Sequence, residues 1–141
     1  MSKILVVDDD ELDLREQAKF SGVNGATVTT AMSGHEAIEK IKAEDFEFVV
    51  TDLNMETPYA GLEVLRAAKD KDKFTEVILI TGKRTQAISV LAMSLGAYDY
   101  IEKQKEYFEK GSSNKESLEK LRIQVGKALE DRSLKLAERG E

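Results

Sequence analysis

Residues 3–12 read KILVVDDDEL, an apolar run over residues 4–7 that ends abruptly in Asp8, Asp9 and Asp10. A run this short, apolar at every position and rich in β-branched residues, is the signature of a strand buried on both faces. Four further runs read the same way, over residues 26–30, 48–51, 77–81 and 98–101. The segments between them, residues 11–20, 34–43, 61–70 and 85–95, carry apolar positions at helical steps, as in Leu62, Leu65 and Ala68. Ser33 followed by Glu36 predicts a capping box at the start of the second helix. Strict alternation of buried strands with helices predicts an α/β fold in which a parallel sheet is covered on both faces.

Working outward, the 141 residues suit one domain with its own core. With 41% hydrophobic and 34% charged residues, one Pro and no low-complexity tract, the chain reads as soluble and globular. No apolar run approaches the roughly 20 residues that cross a bilayer, so no membrane association is expected and the location reads as cytoplasmic. The absence of Cys excludes disulfides and thiolate chemistry, and the single His35 reads as an exposed helix residue. Lys83 and Arg84 read as a solvated loop pair. A net charge of −6 argues against direct nucleic-acid binding. Residues 1–103 hold twelve basic and nineteen acidic side chains, so the acidity is concentrated there.

Beyond Lys103 a polar segment leads into a helical stretch from about residue 114 to 139, in which Leu118, Leu121, Val125 and Ala128 form an apolar stripe that could cover the sheet. After residue 130 the apolar positions thin to Leu134, Leu136 and Ala137 among charges. Residues 1–130 are therefore expected to form the domain, and residues 131–141 a helical extension or linker that projects as a frayed or partner-seeking helix, with a solvated tail as the plainer reading.

The polar residues that end the strands carry the chemistry. Asp8 and Asp9 follow the first strand, Asp52 the third, Thr81 closes the fourth, and Lys103 comes two residues after the fifth. In open parallel sheets, ligands bind beyond the carboxyl ends near the point where strand order reverses, so these side chains should converge. Three clustered carboxylates raise one another's pKa and call for a cation, and an all-oxygen set suits Mg2+ or Mn2+. Three negative charges against a divalent ion and Lys103 sum to zero. Asp10 reads as a helix cap, a role that would not account for the Thr and Lys at matching strand ends.

The segments KILVVDDDEL, VVTDLNM at 49–55, ILITG at 78–82 and GAYDYIEK at 96–103 resemble the receiver domain of bacterial two-component response regulators, the CheY-like family. The likeness spans roughly residues 2–130. It implies a doubly wound, five-stranded parallel sheet of flavodoxin-like order 2-1-3-4-5, with the long C-terminal helix as an addition to it. It further implies that Asp52 is the phosphoacceptor, Asp9 a direct ligand of Mg2+, Asp8 a ligand through water, and Asn54 a backbone-carbonyl ligand. Thr81 and Lys103 would meet phosphoryl oxygens, and Tyr100 would be the switch aromatic that fills space vacated by Thr81. Phosphorylation would then alter the face of helix four, strand five and helix five, where Ala87, Val90, Leu91 and Leu95 read mainly as core. The implied donor is a phosphohistidine on a sensor histidine kinase or phosphotransfer protein, and the implied output is a downstream protein or an output domain. A homodimer on phosphorylation is also compatible with the resemblance. Such a domain is not an enzyme in its own right, but it assists its own phosphorylation and dephosphorylation.

Three departures from the family pattern stand out: Gln104 where Pro usually follows the Lys, one extra residue between Asp52 and Gly61, and a long segment from 104 to 113. Two rivals fit less well. The Asp8-x-Asp10 spacing resembles haloacid-dehalogenase-type phosphatases, which place a second acidic pair after the Lys, whereas here the remaining acid, Asp52, precedes Thr81. A flavin or nucleotide binder would need an anion loop after the first strand, and residues 8–11 carry the opposite charge.

Overall fold

A computed structural model describes residues 2–22, 25–82, 85–103 and 115–140. The strands are β1 (Lys3–Val7), β2 (Thr27–Ala31), β3 (Phe48–Thr51), β4 (Glu76–Thr81) and β5 (Asp99–Glu102). The helices are α1 (Glu11–Ser21), α2 (Gly34–Ala43), α3 (Ala60–Lys71), α4 (Gln86–Ser94) and α5 (Lys115–Glu138). All pairings are parallel and the order is β2-β1-β3-β4-β5, as the resemblance implies.

Alternation along the strands divides the core in two. Leu5, Val7, Val49, Val77, Leu79 and Tyr100 pack with α2, α3 and Ala92 of α4. Ile4, Val6, Phe48, Val50, Ile78, Ile80 and Ile101 pack with Leu14 of α1 and Leu121, Val125 and Ala128 of α5. Both sets are buried, which explains why the strands read as continuous apolar runs rather than as alternating ones.

Helix starts follow local chemistry. Asp10 caps α1 by accepting from the Asp13 N–H at 3.0 Å, and Thr85 caps α4 through the Ile88 N–H at 3.2 Å. Ser33 caps α2 by accepting from the Glu36 N–H at 3.0 Å. The expected reciprocal bond is displaced by one residue, because the Glu36 carboxylate accepts from the Met32 N–H, also at 3.0 Å.

Helix α5 carries on into the expected extension, much of it solvated, but without projecting. It runs unbroken through residue 130, and its last turns lie against the amino ends of the strands instead of projecting. The Tyr98 hydroxyl donates to Asp131 Oδ2 at 2.6 Å, and burial, with that bond adding to it, pushes its pKa up to about 12. Arg132 pairs with Glu47 and Asp72 at 3.8 and 3.7 Å, and Lys135 pairs with buried Glu76 at 3.5 Å. The Arg139 guanidinium sits 5.0 Å from the centre of the Phe74 ring. These partners lie far away in the sequence, so a stretch with thinning apolar residues still docks through its polar ones. Among the apolar residues after 130, Leu134 does face solvent.

Truncation after Glu130 removes these contacts and leaves the buried Glu76 carboxylate with Lys69, 3.7 Å away. The expected cost is about 1–3 kcal/mol in urea unfolding; an unchanged midpoint would show that the docked turns contribute nothing.

Candidate functional site

Strand register explains the convergence. The ladder continues one residue past each strand: Asp8 N–H donates to the Ala31 carbonyl at 3.1 Å, Asp52 N–H to Val7 at 2.9 Å and Lys103 N–H to Thr81 at 2.7 Å. Val7 pairs with Thr51, so Asp8 and Asp52 emerge side by side where the strand order reverses. By alternation, Asp8, Asp52 and Lys103 all point to the α1/α5 face. Strands β5 and β3 are separated by β4, a span of about 10 Å. Only a long side chain crosses it, which is the physical reason for a Lys at this position.

The Lys103 ammonium lies 2.8 Å from Asp8 Oδ2, 3.0 Å from Asp13 Oδ2 and 3.4 Å from Asp52 Oδ2. Burial alone would depress its pKa, but the Asp8 and Asp52 charges overrule burial and hold it above the ordinary lysine value. Asp52 is pushed the other way: burial raises its pKa from 3.8 to about 6, with Lys103 opposing and Asp8 adding to the rise. Asp8 is fully buried, its Oδ1 accepting from the Asp10 N–H and its Oδ2 from Gln17 Nε2, each at 2.9 Å. Asp9 is exposed at the mouth.

Asp8, Asp9 and Asp52 each present a carboxylate oxygen within 4.8 Å of the others'. One Lys103 charge does not neutralise three carboxylates. A hard divalent cation that keeps several waters, such as Mg2+, fits this donor set. Exposed Asp9 is free to reach an ion directly, whereas both oxygens of Asp8 are already engaged. Thr81, buried at the end of β4, lines the same cleft together with Asn54 and Gly82. Tyr100 is inward and only 2% exposed. It pairs with Leu79 and shares its sheet face with Thr81.

The loop after Asp52 is fixed from several sides. Leu53 N–H donates to Asp52 Oδ1 at 2.7 Å, orienting the carboxylate with Oδ2 toward Lys103. Gly61 N–H donates to the Leu53 carbonyl at 2.8 Å, and a Cβ on Gly61 would lie 2.1 Å from the Asp52 carbonyl oxygen, so the close approach requires glycine. Tyr59 enters the left-handed region (φ 65°) just before α3, and its N–H donates to Asn54 Oδ1 at 3.0 Å. Glu56 accepts from the Gly34 and His35 N–H groups, both at 2.8 Å, and thereby ties the loop to the N-terminus of α2.

Asp13 and Glu56 were not foreseen as site residues. Asp13 had only its place in the first turn of a helix as a signal, and Glu56 only its place in an unusual loop. Asp13 also changes the charge count: four carboxylates against a divalent ion and Lys103 leave −1 rather than zero. His35 is exposed as expected, and it is its backbone N–H that meets Glu56. On α4, Val90 (62% exposed) and Leu91 (42%) face solvent, as does Ala87, correcting their reading as core; of the four, Leu95 packs against the core. Gln104, the 104–113 segment, Lys83 and Arg84 lie outside the described residues.

Residues 4–109 match the response regulator receiver domain family. The chain is 36% identical over 100 residues to the acid tolerance regulatory protein ActR of Rhizobium meliloti, covering 71% of this chain and 51% of ActR. It is 32% identical over 140 residues to the C4-dicarboxylate transport transcriptional regulatory protein DctD of Pseudomonas aeruginosa, covering 96% of this chain and 28% of DctD. It thus spans about half the length, or less, of such curated relatives. Among solved structures, NtrX from Brucella abortus superimposes with a TM-score of 0.79 at 26% identity over 98% of this chain and 29% of that one. The beryllofluoride-activated NtrC4 receiver domain dimer superimposes at 0.76 and 27% identity, over 94% of this chain and 99% of that one.

The Asp52 shift has a sign that can be tested. A carboxyl that titrates near 6 when folded and near 3.8 when unfolded keeps an extra proton in the folded state between those values. Stability is therefore lost as pH rises from about 4 to 6, by at most roughly 3 kcal/mol. Asp52→Asn should be more stable than the parent at pH 7 in EDTA, with the gain shrinking toward zero at pH 4, as read by urea midpoints.

Proposed function

We propose, from the premise that the chain belongs to the response regulator receiver family of two-component signalling, that Asp52 accepts a phosphoryl group from a phosphohistidine. The observation that carries this reading is the convergence of the Asp8, Asp9 and Asp52 oxygens beside a buried lysine. In the transfer, an Asp52 carboxylate oxygen forms a bond to phosphorus while the bond from phosphorus to the donor imidazole nitrogen breaks, and that nitrogen recovers its electron pair. Phosphoryl transfer asks mainly for positioning and charge stabilisation. The Leu53 amide and the Gly61 contact hold Asp52 in place, Lys103 neutralises a phosphoryl oxygen, and the Thr81 hydroxyl donates to another. Asp9, Asp52 and the Asn54 carbonyl, with Asp8 through water, would hold Mg2+ or Mn2+, which would supply the remaining positive charge.

The domain would not act on a separate substrate; it would assist its own loading and hydrolysis. The donor would be a sensor histidine kinase or a phosphotransfer protein in the cytoplasm. The output would be a protein partner or an output domain, since the relatives named as regulatory proteins are longer chains. The NtrC4 neighbour is described as a dimer, which supports testing this chain for dimerisation when loaded. The switch would run from Thr81 to Tyr100 on the shared sheet face, and then to α4, whose Val90, Leu91 and Met93 are exposed.

Incubation with acetyl phosphate and Mg2+ should add a single phosphate of about 80 Da, read by intact mass, and Asp52→Asn should take up none. An adduct that survives in Asp52→Asn would reject the acceptor assignment.

Thr81→Ala keeps every acidic ligand and Lys103, so it should still bind beryllofluoride. A hydrogen bond to a charged group is worth about 1.5–3 kcal/mol, so its loss should cut the induced NMR shifts across residues 85–103 severalfold. A full response in Thr81→Ala would route the signal elsewhere.

A further inference from the structure

A lysine ammonium has three N–H donors and no more. Three carboxylate oxygens already face those of Lys103, from Asp8 at 2.8 Å, Asp13 at 3.0 Å and Asp52 at 3.4 Å. A phosphoryl oxygen arriving at Asp52 therefore has to take over a donor that is in use.

The three holders differ in how readily they can let go. Asp8 is completely buried, and its oxygens also accept from Asp10 and Gln17. Asp52 is the acceptor itself. The Asp13 side chain lies in the first turn of α1 and keeps 14% exposure, so water can solvate its carboxylate on release. Asp13 lines the open cleft with Asp9, Asp52 and Thr81.

We propose that Asp13 is a positioning residue that holds Lys103 in the resting domain and is displaced from it when Asp52 is loaded. The charge of Asp13 thereby sets how readily the site accepts a phosphoryl group. The proposal rests on the acceptor reading above. Electrostatics act in the same direction as the donor count, because Asp13 leaves the metal-loaded site one charge negative and repels a dianionic group.

A purely structural Asp13 would stabilise α1 and its surroundings, through the helix dipole and its contacts, and its removal would lower stability without improving loading. A ligand Asp13 would be needed for Mg2+ itself. The test titrates beryllofluoride at saturating Mg2+ into the parent, Asp13→Asn and Asp13→Glu, following amide shifts by NMR. In parallel, Mg2+ affinity is measured calorimetrically without beryllofluoride. Release of Lys103 and loss of one like charge should tighten beryllofluoride binding in Asp13→Asn by about fivefold to tenfold. Asp13→Glu, which keeps the charge, should stay close to the parent. Equal or weaker binding by Asp13→Asn overturns the proposal, as does a loss of more than about tenfold in its Mg2+ affinity, which would make Asp13 a ligand. A parent that takes up neither beryllofluoride nor a phosphoryl group from acetyl phosphate would bring down the acceptor reading and this proposal together. A parent that loads normally beside an Asp13→Asn that gains nothing rejects this proposal alone.

Discussion

The ammonium of Lys103 sits between the carboxylates of Asp8, Asp13 and Asp52, and the carboxyl end of the sheet is organised around that contact. A buried ammonium is tolerated only where opposite charges and hydrogen bonds replace water. Here the partners come from the ends of β1 and β3 and from α1, while the lysine comes from β5, so one side chain ties together four elements. Removing the lysine itself would leave the buried Asp8 and Asp52 carboxylates uncompensated, a loss that typically costs about 3–5 kcal/mol. Yet the cluster holds more negative than positive charge, three carboxylates against one ammonium. The interaction that anchors the end of the sheet also leaves it under-neutralised, and a residual negative charge of this kind is one that a hard divalent cation would offset.

Positioning of Asp52 depends on a second constraint, the close approach of α3 to the backbone beyond β3. Gly61 lies where any Cβ would collide with the Asp52 carbonyl oxygen, so the start of α3 presses directly on the backbone at Asp52. The loop between them is closed by the Asn54 to Tyr59 hydrogen bond and by Glu56 on the N-terminus of α2. With the loop closed in this way, Asp52 keeps its ladder bond to Val7. The opposite end of the sheet is closed by the last turns of α5, which dock through Asp131, Arg132 and Lys135. One end of the sheet is thus covered by polar contacts, and the other remains an open cleft.

Much of this was legible in the chain before any coordinates. Periodicity located all ten elements to within a residue or two, because apolar spacing is a direct record of which face of a strand or helix is buried. The acids after residues 7 and 51, Thr81 and Lys103 could be placed at one end of the sheet because position along a strand maps onto depth in a parallel sheet. Asp10 was recognisable as a cap because capping is local, and the bond it makes spans three residues. Val90 and Leu91 misled because an apolar residue in a helix ordinarily signals core, and the pattern does not reveal which apolar face will lack a partner.

The sequence by itself determined the α/β alternation, the parallel sheet and the set of strand-end side chains, all of which follow from local periodicity and chain direction. Only the tertiary structure decided that Asp13 shares Lys103, that Glu56 caps a helix from a distant loop, and that the end of α5 docks. Each of these joins residues 21 to 90 positions apart in the chain, as Glu56 with His35 and Lys103 with Asp13. The physical reason is that burial leaves a repeating mark on a single segment, whereas pairing of charged groups depends on distances that exist only once the segments have packed.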